Sequence, residues 1–123
     1  MQVVVLVYDI QSTSSMAASQ LRTVGQLLGA SETVYTCPAR FEAELKTFHV
    51  NNLNTSAVDL TAKAVISSTD IPIVTTKSIV ADSIVDLLNS RPIALKASDT
   101  IVATAGTASS LNIVITVSET FTG

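Results

Sequence analysis

Two alternating segments near the carboxyl terminus decide the fold of this chain: Ile101-Val-Ala-Thr-Ala105 and Leu111-Asn-Ile-Val-Ile-Thr-Val117. Apolar residues recur at every second position in each segment, and most residues between them are polar. This is the pattern of a β-strand with one face in a core and the other in water. Residues 106–110, between the two segments, are mainly turn formers, so we expect an antiparallel hairpin that closes the fold.

The composition also favours a sheet protein. The chain has 123 residues, enough for one domain with a core, and is 47% apolar but only 4% aromatic. Its formal charge is −3, and its seven Lys and Arg are scattered singly, which excludes a basic stripe for nucleic acid. One cysteine excludes an intrachain disulfide framework.

The amino terminus carries an apolar run, Val3-Val-Val-Leu-Val-Tyr8. It is too short to span a membrane, and it lacks the basic start of a signal peptide. We therefore expect a strand, which pairs either inside its own sandwich or with a neighbouring subunit by strand exchange. We predict an arm and Ser-rich hinge over residues 1–15 and a β-sandwich domain over 16–123.

The rest of the chain predicts several short strands. Residues 16–28 are ambiguous between a short helix and an irregular connection, and residues 83–89 between a strand and a short helix. Residues 41–51 alternate, with Phe41, Leu45 and His49 on one face and Phe48 on the other. Strands are also expected at 32–37, 57–67 and 73–81, with a loop at 67–72 and a tight turn at 96–99. We predict an all-β chain: one antiparallel sandwich of jelly-roll or immunoglobulin-like type.

Residues able to do chemistry are few and scattered. The single His49 and the single Cys37 are too few for a zinc shell, and nothing in the sequence brings them together as a nucleophile pair. The six aspartates are interpreted as solvated turn or surface groups. Glu42 and Glu44 share a strand face, but no aromatic platform suggests a sugar cleft. We expect no catalytic residue, no metal, no cofactor and no enzyme activity.

Two blocks resemble small bacteriophage virion proteins. The first is Glu32-Thr-Val-Tyr-Thr-Cys-Pro-Ala39, followed by a strand that ends Val50-Asn-Asn52; the second runs from Leu95-Lys-Ala-Ser-Asp-Thr-Ile101 to Glu119. The resemblance covers roughly residues 30–119 and is carried mainly by turn and strand residues. Ser98 stands where a glycine is common in that group, which suggests a differently built turn.

The resemblance implies a non-enzymatic structural protein of the phage particle, assembled in the host cytoplasm. We expect a capsid decoration (cement) protein, a homotrimer that binds the major capsid protein and neither nucleic acid nor membrane. A tail, neck or baseplate component is the alternative, and a receptor- or carbohydrate-binding module is a second one. The residues that we expect at an oligomer or capsid interface are Val3, Val5, Val7, Tyr8, Tyr35 and Arg40.

Overall fold

The computed structural model describes residues 19–123, and all of their regular structure is β-strand. The described residues form nine strands: β1 (Ser19–Leu27), β2 (Ser31–Thr36), β3 (Phe41–Asn52), β4 (Val58–Ile66), β5 (Thr69–Ile79), β6 (Ile84–Asp86), β7 (Ile93–Lys96), β8 (Thr100–Ala105) and β9 (Leu111–Phe121). The all-β prediction is confirmed. The predicted arm and hinge, and the boundary after residue 15, lie outside the described residues.

The strands form two antiparallel sheets that pack face to face. Sheet A has the order β1-β9-β3-β6, with β7 also paired to β3, and sheet B has the order β2-β8-β4-β5. Because β6 and β7 pair with different parts of β3, they occupy a single strand position. Most connections cross from one sheet to the other, which is the arrangement of a jelly roll; an immunoglobulin-like sandwich keeps more consecutive strands together.

The core lies between the sheets and is almost entirely aliphatic. The inward positions predicted for the two carboxyl-terminal segments are buried, and alternate residues of β4 are buried against them. Burial of this alternating apolar set is the main force that holds the sheets together. The confirmed positions of the two segments are Ile101, Ala103, Ala105, Leu111, Ile113, Ile115 and Val117, and the buried residues of β4 are Val58, Leu60, Ala62 and Ala64.

The predicted closing hairpin is wrong, because β8 and β9 lie in opposite sheets. β8 pairs with β2 and β4, whereas β9 pairs with β1 and β3. Residues 106–110 form an arch from sheet B to sheet A, held by bonds from Gly106 N to Asp59 O (2.8 Å) and from Ser109 N to Leu28 O (2.9 Å). An arch and a hairpin both turn the same apolar positions toward the core, so alternation alone does not separate them.

The two alternatives predicted for residues 16–28 are also wrong over the described part, since Ser19–Leu27 form strand β1. This strand pairs with β9 in unbroken register from Ser19 to Leu27. Leu21 and Val24 have helical spacing, but Leu21 faces solvent while Val24 packs against the core. Gly25 further disfavours a helix, so pairing with the central strand β9 decides the conformation.

The predicted faces of β3 change halfway along the strand. The register with β9 shifts between Leu45 and Thr47, which makes Lys46 an extra residue in a β-bulge. As a result Phe48 is fully buried and His49 is exposed, the reverse of the predicted arrangement.

The predicted loop at residues 67–72 is shorter in the structure. Ser67 and Ser68, with φ of 51° and 66°, make a two-residue turn, and β5 begins at Thr69. Both residues have the positive φ that a tight type I′ hairpin turn requires. β5 accepts Pro72 because it is an edge strand, where a missing N–H need not break the sheet.

Candidate interaction surface

The two sheets have four edges, and the edge formed by β1 differs from the other three. β1 is nine residues long, contains neither proline nor lysine, and pairs with β9 without a bulge. Within residues 19–123 it has one neighbouring strand in its sheet. A long, regular edge strand presents a row of backbone donors and acceptors on which a further strand can pair.

The other edges carry features that discourage pairing. β5 contains Pro72 and Lys77, and its register with β4 shifts twice. β2 has six residues and a register shift between Thr33 and Tyr35. The edge beside β3 is divided into β6 and β7, of three and four residues. Prolines, lysines, bulges and short strands are common protections against unwanted strand addition, and β1 has none of these four.

The backbone direction along β1 follows from one hydrogen bond at its end. Leu28 N donates to Leu111 O at 2.9 Å. In an antiparallel ladder alternate residues point toward the same neighbour, so Val24 and the other inward residues bond to β9. The backbone groups of Leu21, Gly25 and Leu27 therefore point away from β9, to the side where residues 19–123 place no further strand, and the side chains of both leucines are exposed on the outer face of sheet A.

A shallow recess of about 510 Å³ lies on this outer face, next to the open edge. Two rows of paired residues cross it: Gly25, Val114, His49 and Asp86 in one row, and Leu27, Asn112, Asn51 and Ile84 in the next. Ile84 is 71% exposed and Leu27 47% exposed, and Val114 between them is also exposed. The outer face thus combines apolar side chains, amides and one imidazole.

A buried polar pair connects the two sheets at the opposite end of β9. Glu119, at 2% exposure, accepts a hydrogen bond from the hydroxyl of Tyr35 on β2. Glu119 occupies the position after Val117 in the inward series of β9, where every earlier member is apolar. A charge at such a position costs free energy unless it is paired, and the Tyr35 hydroxyl supplies the pairing.

Arg22 on β1 completes this cluster from the edge. Its Nη1 lies 3.6 Å from Glu119 Oε2, and its side chain is 44% exposed, so solvent screening makes the ion pair a modest contribution. Burial, with the hydrogen bond to Glu119 second, raises the pKa of Tyr35 above its ordinary value. Burial likewise raises the pKa of the neighbouring Cys37 thiol, and the Glu119 carboxylate adds to that effect. Neither group is therefore poised as a nucleophile.

Not all of the aspartates are solvated surface groups, as the sequence suggested. Asp99 is buried and its two oxygens accept from Ser67 N (3.1 Å) and Lys96 N (2.9 Å), tying two turns together. Asp86 Oδ1 accepts from the backbone N–H of Phe48 and of Leu88. Both carboxylates hold loops in place by satisfying backbone donors.

The predicted interface residues have different positions. Val3, Val5, Val7 and Tyr8 lie outside the described residues. The Tyr35 side chain is buried against Glu119, and Arg40 is exposed in the turn between β2 and β3, where its carbonyl accepts from Thr122.

Other surface residues were missed by the sequence reasoning. Leu21, Leu27 and Ile84 were not singled out, because the conformation of residues 16–28 and 83–89 was ambiguous in the sequence and no outer sheet face was predicted there. Glu119 had a detectable signal, since it continues the inward series of β9 by two residues.

Neither a metal site nor a membrane-spanning helix is present in the part of the chain that the structure describes. No group of three or more His, Cys, Asp and Glu is placed to hold an ion there. No helix in residues 19–123 is long and apolar enough to cross a bilayer.

Comparison with known proteins finds the fold but no family. No protein-family model matches the chain, and no curated protein sequence matches it. A chain from the Bacillus endospore appendages, which form disulfide-linked pili, superposes with a TM-score of 0.52 at 12% identity, covering 96% of this chain and 98% of that one. A chain of T=1 particles derived from infectious bursal virus gives a TM-score of 0.44 at 11% identity, covering 99% of this chain and 36% of that one.

Proposed function

We propose that this chain is a non-enzymatic structural subunit of a phage particle, bound to the capsid as a decoration protein, and that it self-associates as a homotrimer through the open edge of β1. The observation that carries the proposal is the unprotected β1 edge, together with the apolar residues 3–8 that precede it in the sequence. The combination of an open edge and a strand-forming segment is the basis of strand addition between subunits.

The occupant that we propose for the edge is residues 3–8 of a neighbouring copy. A six-residue strand can make main-chain hydrogen bonds with the outward-pointing groups of Leu21 and Gly25 while its side chains extend both faces of sheet A. Strand addition in a ring pairs the β1 edge of every subunit and gives closed symmetry. Val3, Val5, Val7 and Tyr8 then become contact residues, and Arg40 remains available for the capsid.

The buried polar groups support a structural role. Glu119 and Asp99 are each engaged by hydrogen bonds within the subunit. Asn52, also buried, donates to the carbonyls of Ser56 and Ile79 and holds the turn after β3. These groups stabilise the shape of the sandwich, which is the property an assembly subunit needs.

The phage context rests on the resemblance of residues 30–119 to small virion proteins. A subunit of a pilus-like fibre is the second candidate, because the pilus chain shares the fold over nearly its whole length. Cys37 is buried, so a fibre of this chain would depend on strand addition rather than on a disulfide through that residue.

Native mass and particle co-purification test the proposal. Leu21→Pro removes an edge-pointing N–H while leaving the ladder to β9 intact, and we expect it to reduce the oligomer to its monomer. Leu21→Thr removes the same exposed side chain but keeps the N–H, and it should retain the oligomer. Deleting residues 1–10 should likewise reduce the oligomer to its monomer.

The outcome depends on where the wild-type chain is found. An oligomer that is stoichiometric with the major capsid protein supports decoration, and long filaments support the fibre. A chain found only with tail fractions would replace decoration by a tail component. Monomers at every concentration that never bind a particle would overturn the proposal.

A further inference from the structure

The outer face of sheet A has a feature that the subunit itself does not require. Gly25 lies in the interior of a regular strand, and its φ is not positive. A Cβ added there would meet nothing closer than Ile113 O at 3.9 Å. Glycine in a strand interior weakens the strand and often marks a place where another chain approaches closely. Its effect here is to open the recess toward solvent.

We propose that this recess packs against the same face of a second copy of the chain. The inference rests on the proposed self-association and adds a second surface to it, the face of sheet A in place of its edge. The two copies are related by a two-fold axis that lies between their outer faces. The axis runs parallel to the strands and passes midway between β9 and β3. Such a contact is self-complementary, because every contact between two residues occurs twice, once in each direction.

The rows across the sheet determine which residues meet. The rotation places β6 of one copy over β1 of the other while keeping the position along the strands. Ile84 of one copy then lies over Leu27 of the other, beside the recess at Gly25, and the reverse contact is identical. Near the axis, Val114 of each copy faces His49 of the other. Ile84, the most exposed large apolar side chain among residues 19–123, is thus covered.

The charges on the face fit a second copy. Asp86 is the one carboxylate in the rows that cross the recess, and its Oδ1 is engaged by backbone N–H groups. The other half of the face carries ion pairs, Lys46 with Glu44 (2.8 Å) and Lys96 with Glu42 (3.3 Å). In the two-fold arrangement the β3 charges face the Ser and Thr hydroxyls of β9, so no like charges oppose each other.

The area of the contact indicates its role. Four strands about 4.8 Å apart, over five residues each, cover roughly 300 Å² per copy. A stable interface buries about 800 Å² per partner. The face is therefore expected to hold two copies only when the edge contact has already assembled them, so that it joins two closed oligomers into one particle of twice the mass.

A charge-complementation experiment on the full chain tests the contact by sedimentation. We expect Ile84→Asp and Leu27→Arg each to halve the mass of the wild-type particle and to weaken the association of the halves at least about 100-fold. The double variant places each Asp against an Arg of the other copy and should regain the full mass. Val80→Asp, at an equally exposed position outside the recess, should leave the mass unchanged.

The restoration cannot come from within one subunit, because residues 27 and 84 lie three strand spacings apart, about 14 Å. A wild-type particle with the mass of Ile84→Asp, or a double variant that stays at half mass, would overturn the inference while leaving edge association intact. Loss of capsid binding in Ile84→Asp at unchanged mass would assign the face to the capsid protein and also overturn it. A monomeric wild type would count against the proposed function as well.

Discussion

The hydrogen bond between Tyr35 and Glu119 offers a direct measure of what one buried polar contact contributes to this fold. Tyr35→Phe keeps the ring that fills its place in the core and removes only the hydroxyl. The Glu119 carboxylate, 2% exposed, then loses its buried donor and retains the partly exposed Arg22 at 3.6 Å. We expect the change to destabilise the fold.

The magnitude follows from the charge on the acceptor. A hydrogen bond to a charged group contributes about 1.5–3 kcal/mol, and the remaining ion pair is screened on the Arg22 side. We therefore expect Tyr35→Phe to lower the free energy of unfolding by about 2 kcal/mol. For a chain of this length the melting temperature should fall by about 8 °C.

Glu119→Leu alone leaves the tyrosine hydroxyl without its acceptor. In the double variant Tyr35→Phe/Glu119→Leu both polar groups are replaced by apolar groups of similar shape, which costs less than the sum of the single changes. A double-mutant cycle should give a coupling energy of about 1.5–3 kcal/mol.

Equilibrium unfolding in urea at pH 7 measures all four free energies. The four proteins are measured at one and the same concentration, since association would make the apparent stability depend on concentration. A coupling energy below about 0.5 kcal/mol, or a Tyr35→Phe variant as stable as its parent, would refute the reasoning.

Two further predictions concern alkaline pH and a turn. Because burial raises the pKa of Tyr35 above its ordinary value of 10.0, the folded state favours the neutral hydroxyl. The stabilisation that comes from the neutral Tyr35 hydroxyl is fully present below pH 10. Above pH 10 the free energy of unfolding should fall by about 1.4 kcal/mol per pH unit, and Tyr35→Phe should remove this decline from the denaturation profile. Cys37, whose pKa is raised from 9.0, should contribute a similar decline that begins one unit lower and is absent in Cys37→Ser. In the turn before β8, Ser98 has φ of 75°, so Ser98→Gly should raise the free energy of unfolding by about 0.5 kcal/mol in urea titrations; a loss of stability in Ser98→Gly, or an equal gain in Ser98→Ala, would contradict this.

Alternation predicted the core of this protein well and its connections poorly. The inward positions of β4, β8 and β9 follow from a period of two residues, which any half-buried strand must have. The same period says nothing about which strand lies beside which. Residues 101–117 therefore read as a hairpin, although Gly106 and Ser109 bond to other segments and form an arch.

Two other differences arise from irregular pairing. The extra residue Lys46 in β3 reverses the faces that follow it, and a bulge has no composition of its own that identifies it. β1 contains a glycine and several polar residues, so its strand conformation depends on pairing with β9, a partner some ninety positions away. Tertiary pairing overrides local propensity at such a place.

The candidate surface depended on information that the sequence does not display. The apolar residues 3–8 were predicted to form a strand that needs a partner, but the difference between β1 and the other three edges is visible only when the described strands are compared. The recess at Gly25 was likewise not predictable from the sequence, because the residues that line it, such as Ile84 and Val114, come from strands far apart in the chain.

The position of β9 has a consequence for synthesis. β9, the last of the described strands, is an interior strand of sheet A, and both β1 and β3 pair with it. While the ribosome is still making residues 111–121, β1 has no neighbour in its own sheet among the described residues, so its strand conformation waits for β9. Synthesis that stops before β9 leaves β1 without the pairing that orders its edge. An interior position for β9 thus makes the synthesis of residues 111–121 the condition for forming the β1 edge.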